Sequence, residues 1–72
     1  MTSAAERHER DREEVLAAIN ARLSVSPREL RRILPHITRQ RISSCCMELT
    51  IEGLVFQSGD TGNRLYHARR FQ

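Results

Sequence analysis

Lysine is absent from this chain: all twelve basic residues are arginine. Two readings of that absence stand side by side. Arginine makes planar, bidentate contacts with phosphates and guanine edges, which suits a nucleic-acid partner. A GC-rich coding sequence gives the same bias with no functional cause. Long apolar runs are also missing. With no stretch of about 20 apolar residues, nothing in the sequence spans a membrane. No apolar segment of the signal-peptide kind follows Met1, so a cytoplasmic location is expected. Cysteine is scarce. Cys45 and Cys46 are the only two, which excludes a disulfide framework, and in a reducing compartment they are expected as free thiols. Glycine is scarce too. Gly59 and Gly62 suit a turn, and no Gly-rich loop that could cradle a phosphate is present.

At 72 residues the chain makes one small domain. A domain of this size buries only roughly 60% of its unfolded surface, so its core is marginal. Neither disulfides nor a metal cage compensates, and pairing with a second copy or a partner protein is expected. The ordinary apolar content, 39%, argues against disorder throughout. Charge is uneven. Residues 1–25 carry four Arg against five acidic groups, a balance of −1. Residues 26–72 carry eight Arg against four acidic groups, a balance of +4. The positive excess thus sits on the C-terminal two thirds, a weak electrostatic footprint of a nucleic-acid binder.

The segment from Thr2 to Glu14 is polar and alternates in charge. Ser3 with Glu6 forms a candidate capping box, and Asp11 with Glu14 offers a second helix start. Glu6, Arg10 and Glu14 form an i, i+4 ladder. With no apolar face before Val15, these turns are helical if something covers them and fray otherwise. From Val15 the pattern is amphipathic: Val15, Leu16, Ile19 and Leu23 with two alanines alongside. The first helix is expected to end near Leu23. Val25 is then placed to serve in a brief strand.

The second helix has the strongest start signal. Ser26 caps, Pro27 takes the first helical position and Glu29 completes the box. Leu30, Ile33 and Leu34 form its buried stripe. Pro35 ends it, and Ile37 plugs the following turn into the core. A third helix begins at the N-cap Thr38. Ile42, Cys45, Cys46 and Leu49 fall on one apolar face, and Gly53 fits the left-handed position past its end. Cys45 is expected nearer the surface than Cys46. The opposite face carries Arg39, Gln40, Ser43, Ser44 and Met47. The polar members can bond base edges or phosphates, and Met47 could meet a thymine methyl. Leu54-Val55-Phe56, a polar loop with two glycines, and Leu65 to Ala68 then predict a hairpin, with Tyr66 on its inner face.

This order of elements resembles the winged helix-turn-helix transcriptional regulators of bacteria and their phages. The resemblance is carried by the capped second helix, by Ile42, Cys46 and Leu49, and by Glu52-Gly53-Leu54-Val55, which looks like the helix-to-wing junction of that family. It covers roughly residues 12–70, and in size the chain looks most like the compact pilus-operon regulators. It implies an α+β, mainly α fold: three helices plus a C-terminal β-hairpin wing. Residues 12–72 would be the DNA-binding domain and 1–11 a polar extension of the first helix.

The resemblance implies a sequence-specific binder of double-stranded DNA, associated with the nucleoid, acting as a homodimer or with a partner protein. Arg39, Gln40, Ser43 and Ser44 would read bases with Met47 beside them. Thr38, Arg41 and Arg64 would hold phosphates, helped by Arg69, Arg70 and Arg28. Arg31 and Arg32 share the second helix with Arg28 and could also reach phosphates. Winged helices serve as protein-interaction modules too, so a factor that binds a larger complex is the alternative. No nucleophile, base and orienter can be assembled from the three His and the scattered Ser, so no enzyme activity or cofactor is expected. Adjacent helical cysteines point about 100° apart and are poor joint ligands, which leaves Cys45 and Cys46 as small core residues.

Overall fold

Ser3 sets the first helix. Its backbone is extended, and its Oγ accepts a hydrogen bond from the Glu6 N–H at 3.2 Å. Helix α1 then runs without interruption over Ala4–Arg22, so Ser3 and not Asp11 is the start. The computed structural model describes residues 3–60 and 62–69. Arg70, one of the residues expected near the hairpin, lies outside them.

The first turns of α1 are covered, and the cover is polar. His8, Asp11 and Arg12 continue the stripe of Val15 and Ile19 toward the N-terminus. They meet the third helix, α3 (Arg39–Ile51), and its C-cap Glu52. His8 Nε2 lies 2.6 Å from Glu48 Oε2, and Arg12 bridges Glu48 and Glu52. The bond to Glu52 raises the Arg12 pKa further above its ordinary value. Asp11 is buried, with Oδ2 3.4 Å from Arg41 Nη1. Glu14, expected to pair along its own helix with Arg10, instead meets His36 Nε2 at 2.8 Å.

Leu23 ends α1 with a φ of +69°, a sparsely populated conformation that costs a non-glycine residue about 1–3 kcal/mol. Hydrogen bonds hold it on both sides. Its N–H donates to the Ile19 carbonyl at 2.8 Å, and its carbonyl accepts from the Ala68 N–H at 2.7 Å. This bend turns the chain into the short strand β1 (Ser24–Val25).

Helix α2 (Pro27–Ile33) shows the full capping box at Ser26 and Glu29, and it stops ahead of Pro35. Ile37 is 4% exposed and fills the turn. Thr38 caps α3 by accepting from the Arg41 N–H at 3.3 Å. At the far end, Gly53 N–H bonds the Thr50 carbonyl and Leu54 N–H bonds the Leu49 carbonyl. That pair is a Schellman motif, and it requires the left-handed φ of +77° that Gly53 supplies.

Strands β2 (Val55–Ser58) and β3 (Leu65–Ala68) form the hairpin, and β1 pairs on the other side of β3. All pairings are antiparallel, with Val25 opposite Tyr66 and Val55 opposite Ala68. Those four side chains are buried and close the core over α1, α2 and α3. On the outer face His67 lies between Ser24 and Phe56. Its ring nitrogens bond Ser24 Oγ at 2.8 Å and Ser58 Oγ at 2.7 Å, and Phe56 stacks on it at 4.9 Å. The architecture is α+β and mainly helical: three helices and a small three-stranded antiparallel sheet. Among the described residues, no helix is long and apolar enough to cross a membrane.

Candidate nucleic-acid interface

The apolar side of α3 is committed to the core: Ile42, Cys45, Cys46 and Leu49 are at most 2% exposed. Helical spacing therefore turns Arg39, Gln40, Ser43, Ser44 and Met47 outward, and all five are exposed. Steps of four residues align Arg39, Ser43, Met47 and Ile51 in one ridge along the helix. Ile51, at 78% exposed, belongs to this surface and was not among the residues singled out from the sequence. The period that selected Met47 also reaches Ile51, but its apolar character and its place at the helix end obscured it.

Three clefts share Arg64, the residue that leads into β3, and the ridge borders two of them. One, of about 230 Å³, has Arg31 and Pro27 of α2 on one side and Arg39 and Ser43 on the other, with Arg64 at its edge. A second opens between Arg28 and Arg31 on α2 and Asn63 and Arg64 at the hairpin tip. A third runs between Met47 and Ile51 of α3 and Gln57 and Arg64 of the hairpin. Among the described residues, none of Arg28, Arg31, Arg39 and Arg64 has a carboxylate within ion-pairing distance. Four like charges gathered without counter-ions repel one another, and a polyanion relieves that repulsion.

The remaining expected residues divide differently. Thr38 is exposed, and its Oγ1 is engaged in the α3 cap. Arg41 turns away from the clefts toward Asp11. Arg69 is exposed, and its Nη1 donates to the Gly53 carbonyl at 3.4 Å, tying the end of β3 to the α3–β2 junction. Arg28 and Arg64 line the clefts. Arg31, one turn along α2 from Arg28, lines two of them.

The Asp11–Arg41 pair has a structural role that can be tested. Asp11 Oδ2 is buried and accepts no hydrogen bond, so the nearby guanidinium charge is what compensates it. Arg41→Met is expected to destabilise the fold by about 1–3 kcal/mol, the usual cost of stranding a buried polar group. Adding Asp11→Leu is expected to recover most of that loss, which urea denaturation of the two variants measures.

Both cysteines are buried, Cys45 at 0% and Cys46 at 1%, so neither thiol reaches the surface. Burial pushes the Cys45 thiol up to about 11, with the Asp11 and Glu48 carboxylates adding to it. Burial pushes Cys46 up to about 12, with Cys45 adding to it. These environments disfavour a thiolate and therefore nucleophilic or redox chemistry. They also set a pH response. Above about pH 9 the unfolded chain loses thiol protons that the folded chain keeps, so the unfolded state binds fewer protons and stability falls. The decline is expected from about pH 9 toward 11–12, by up to about 1.4 kcal/mol per pH unit per thiol. Denaturant titrations at stepped pH measure it, and Cys45→Ala with Cys46→Ala is expected to flatten the slope.

Among the described residues, no group of three His, Cys, Asp or Glu side chains could hold a metal ion. No protein-family model, no curated protein and no solved structure matches this chain.

Proposed function

We propose that this chain is a winged helix-turn-helix protein that binds double-stranded DNA sequence-specifically and regulates transcription. In this reading α3 enters the major groove and the β2–β3 hairpin, the wing, lies on the adjacent backbone. The observation that carries it is the gathering of four unpaired arginines, Arg28, Arg31, Arg39 and Arg64, around the exposed polar side of α3. A helix is about 10–12 Å across with its side chains, and the major groove is about 12 Å wide. Arg39, Gln40, Ser43 and Ser44 read base edges. Arg28, Arg31 and Arg64 hold phosphates beside the helix. Arg41 braces α3 against α1. One protomer covers a short stretch of duplex, so two copies occupy a two-fold site.

The test is a mobility-shift series over salt. Three phosphate contacts per protomer, six for the two copies, give a slope of about −5.4 in log K against log[salt], roughly a 2,000-fold loss between 50 and 200 mM. Salt-sensitive binding of that size supports the reading. No binding to any duplex at low salt overturns it and leaves the second reading, a protein-interaction module.

A further inference from the structure

The surface just described is not uniformly polar. Its N-terminal half offers Arg39, Gln40, Ser43 and Ser44. Its C-terminal half offers Met47, 62% exposed, and Ile51, 78% exposed. These are the two most exposed large apolar side chains described, and one turn of helix separates them. They lie along the cleft toward the hairpin, whose other lining is Ser43, Thr50, Gln57, Arg64 and the ring of Tyr66. That lining holds one cation and no carboxylate. An apolar pair beside one guanidinium, with no carboxylate in the lining, fits an occupant that is anionic and carries small apolar spots between its charges. A DNA duplex has that pattern: each thymine places a C5-methyl group on the floor of the major groove. An RNA duplex lacks it, because uracil has no such methyl and the A-form major groove is too narrow to enter.

We propose that Met47 and Ile51 read thymine methyl groups, so that α3 has a hydrogen-bonding end at Arg39 and a methyl-reading end at Ile51. This rests on the DNA-binding reading and adds to it a specificity of defined polarity. A rise of 1.5 Å per residue puts Met47 about 12 Å along the helix from Arg39 and Ile51 about 6 Å further. Along the winding groove successive base pairs lie about 5 Å apart, so thymine is preferred roughly two to four base pairs from the position read by Arg39. Cytosine there is disfavoured for want of the methyl, and 5-methylcytosine restores that part of the contact. Binding therefore responds to cytosine methylation at those positions.

The experiment selects bound duplexes from a random pool, then replaces each thymine of the selected site with deoxyuridine. This removes one methyl and changes nothing in the protein. Wild-type protein is expected to lose about fourfold in affinity at each contacted thymine, the factor that corresponds to one buried carbon at about 0.8 kcal/mol. Met47→Ala and Ile51→Ala replace exposed side chains, so the fold is retained, which circular dichroism checks. Each is expected to bind the thymine and uracil forms of its contacted position equally. Four outcomes overturn the proposal: selected sites without thymine at that spacing, wild-type tolerance of uracil at every position, variants that weaken both forms while keeping the fourfold difference, and variants that alter only self-association. Those failures leave duplex binding intact. Failure of the underlying reading is a different result, no selected duplex at all.

Discussion

Ile42→Asp unfolds this protein. Ile42 is 2% exposed and sits on the inward face of α3, in the same buried cluster as Leu30, Cys46 and Tyr66. The substitution removes an apolar side chain whose burial contributes about 1.5–3 kcal/mol. It also takes a carboxylate out of water at that buried position, at a cost of several kcal/mol more or of protonating it. A domain of this length has about 4–11 kcal/mol of stability in total. The expected result is loss of the cooperative thermal transition and of dispersed amide resonances. Ser43→Asp, one residue along, is the control. Ser43 is exposed, so that variant keeps its fold while its new negative charge weakens duplex binding. A folded Ile42→Asp protein would mean that α3 packs through its other face, and the arginine ridge would then be interior.

The sequence made some of this arrangement legible and hid the rest for a physical reason. The second helix could be bounded from residues alone because Ser26, Pro27, Glu29 and Pro35 act locally, through hydrogen bonds and steric limits spanning a few residues. The inward side of α3 and the inner position of Tyr66 were legible because burial follows the 3.6- and 2-residue periods. The first half of α1 was not, because the periodic signal there is carried by His8, Asp11 and Arg12 and not by apolar residues. Its partners, Glu48, Glu52 and Arg41, are distant in sequence. The same gap explains Cys45. That thiol would be open if the polar turns of α1 were frayed. With those turns packed, it lies close enough to Asp11 and Arg12 for their charges to shift its pKa. Arg41 followed as well: its place in the third helix fitted a phosphate contact, and only the packing of α1 shows it next to a buried carboxylate. The convergence of Arg28 and Arg31 with Arg64 depends on how the hairpin folds back beside α2, which no local pattern encodes.

Arg39→Ala and Arg64→Ala are expected to fail in different ways. Both side chains are exposed and unpaired, so neither change disturbs the fold. Arg39 lies at the N-terminal end of the outward side of α3, where a recognition helix meets base edges. Its fork matches the O6 and N7 acceptors of guanine, a bidentate contact worth about 1–3 kcal/mol of discrimination. Arg39→Ala therefore lowers affinity for the preferred duplex by roughly 5- to 150-fold per half-site, leaves non-specific duplexes nearly unchanged, and relaxes sequence preference at one position of each half-site. Arg64 faces the helix from the hairpin and reads no base. Arg64→Ala weakens every duplex by a similar factor and reduces the salt slope by about 2, one contact from each copy. Lysine separates the roles again. It restores Arg64, where a point charge near a phosphate suffices, and fails to restore Arg39, where a planar fork is needed. Competition assays with preferred and scrambled duplexes at two salt concentrations measure all four variants. Equal losses on both duplexes for Arg39→Ala would remove it from base reading. An unchanged salt slope for Arg64→Ala would remove the hairpin from the backbone.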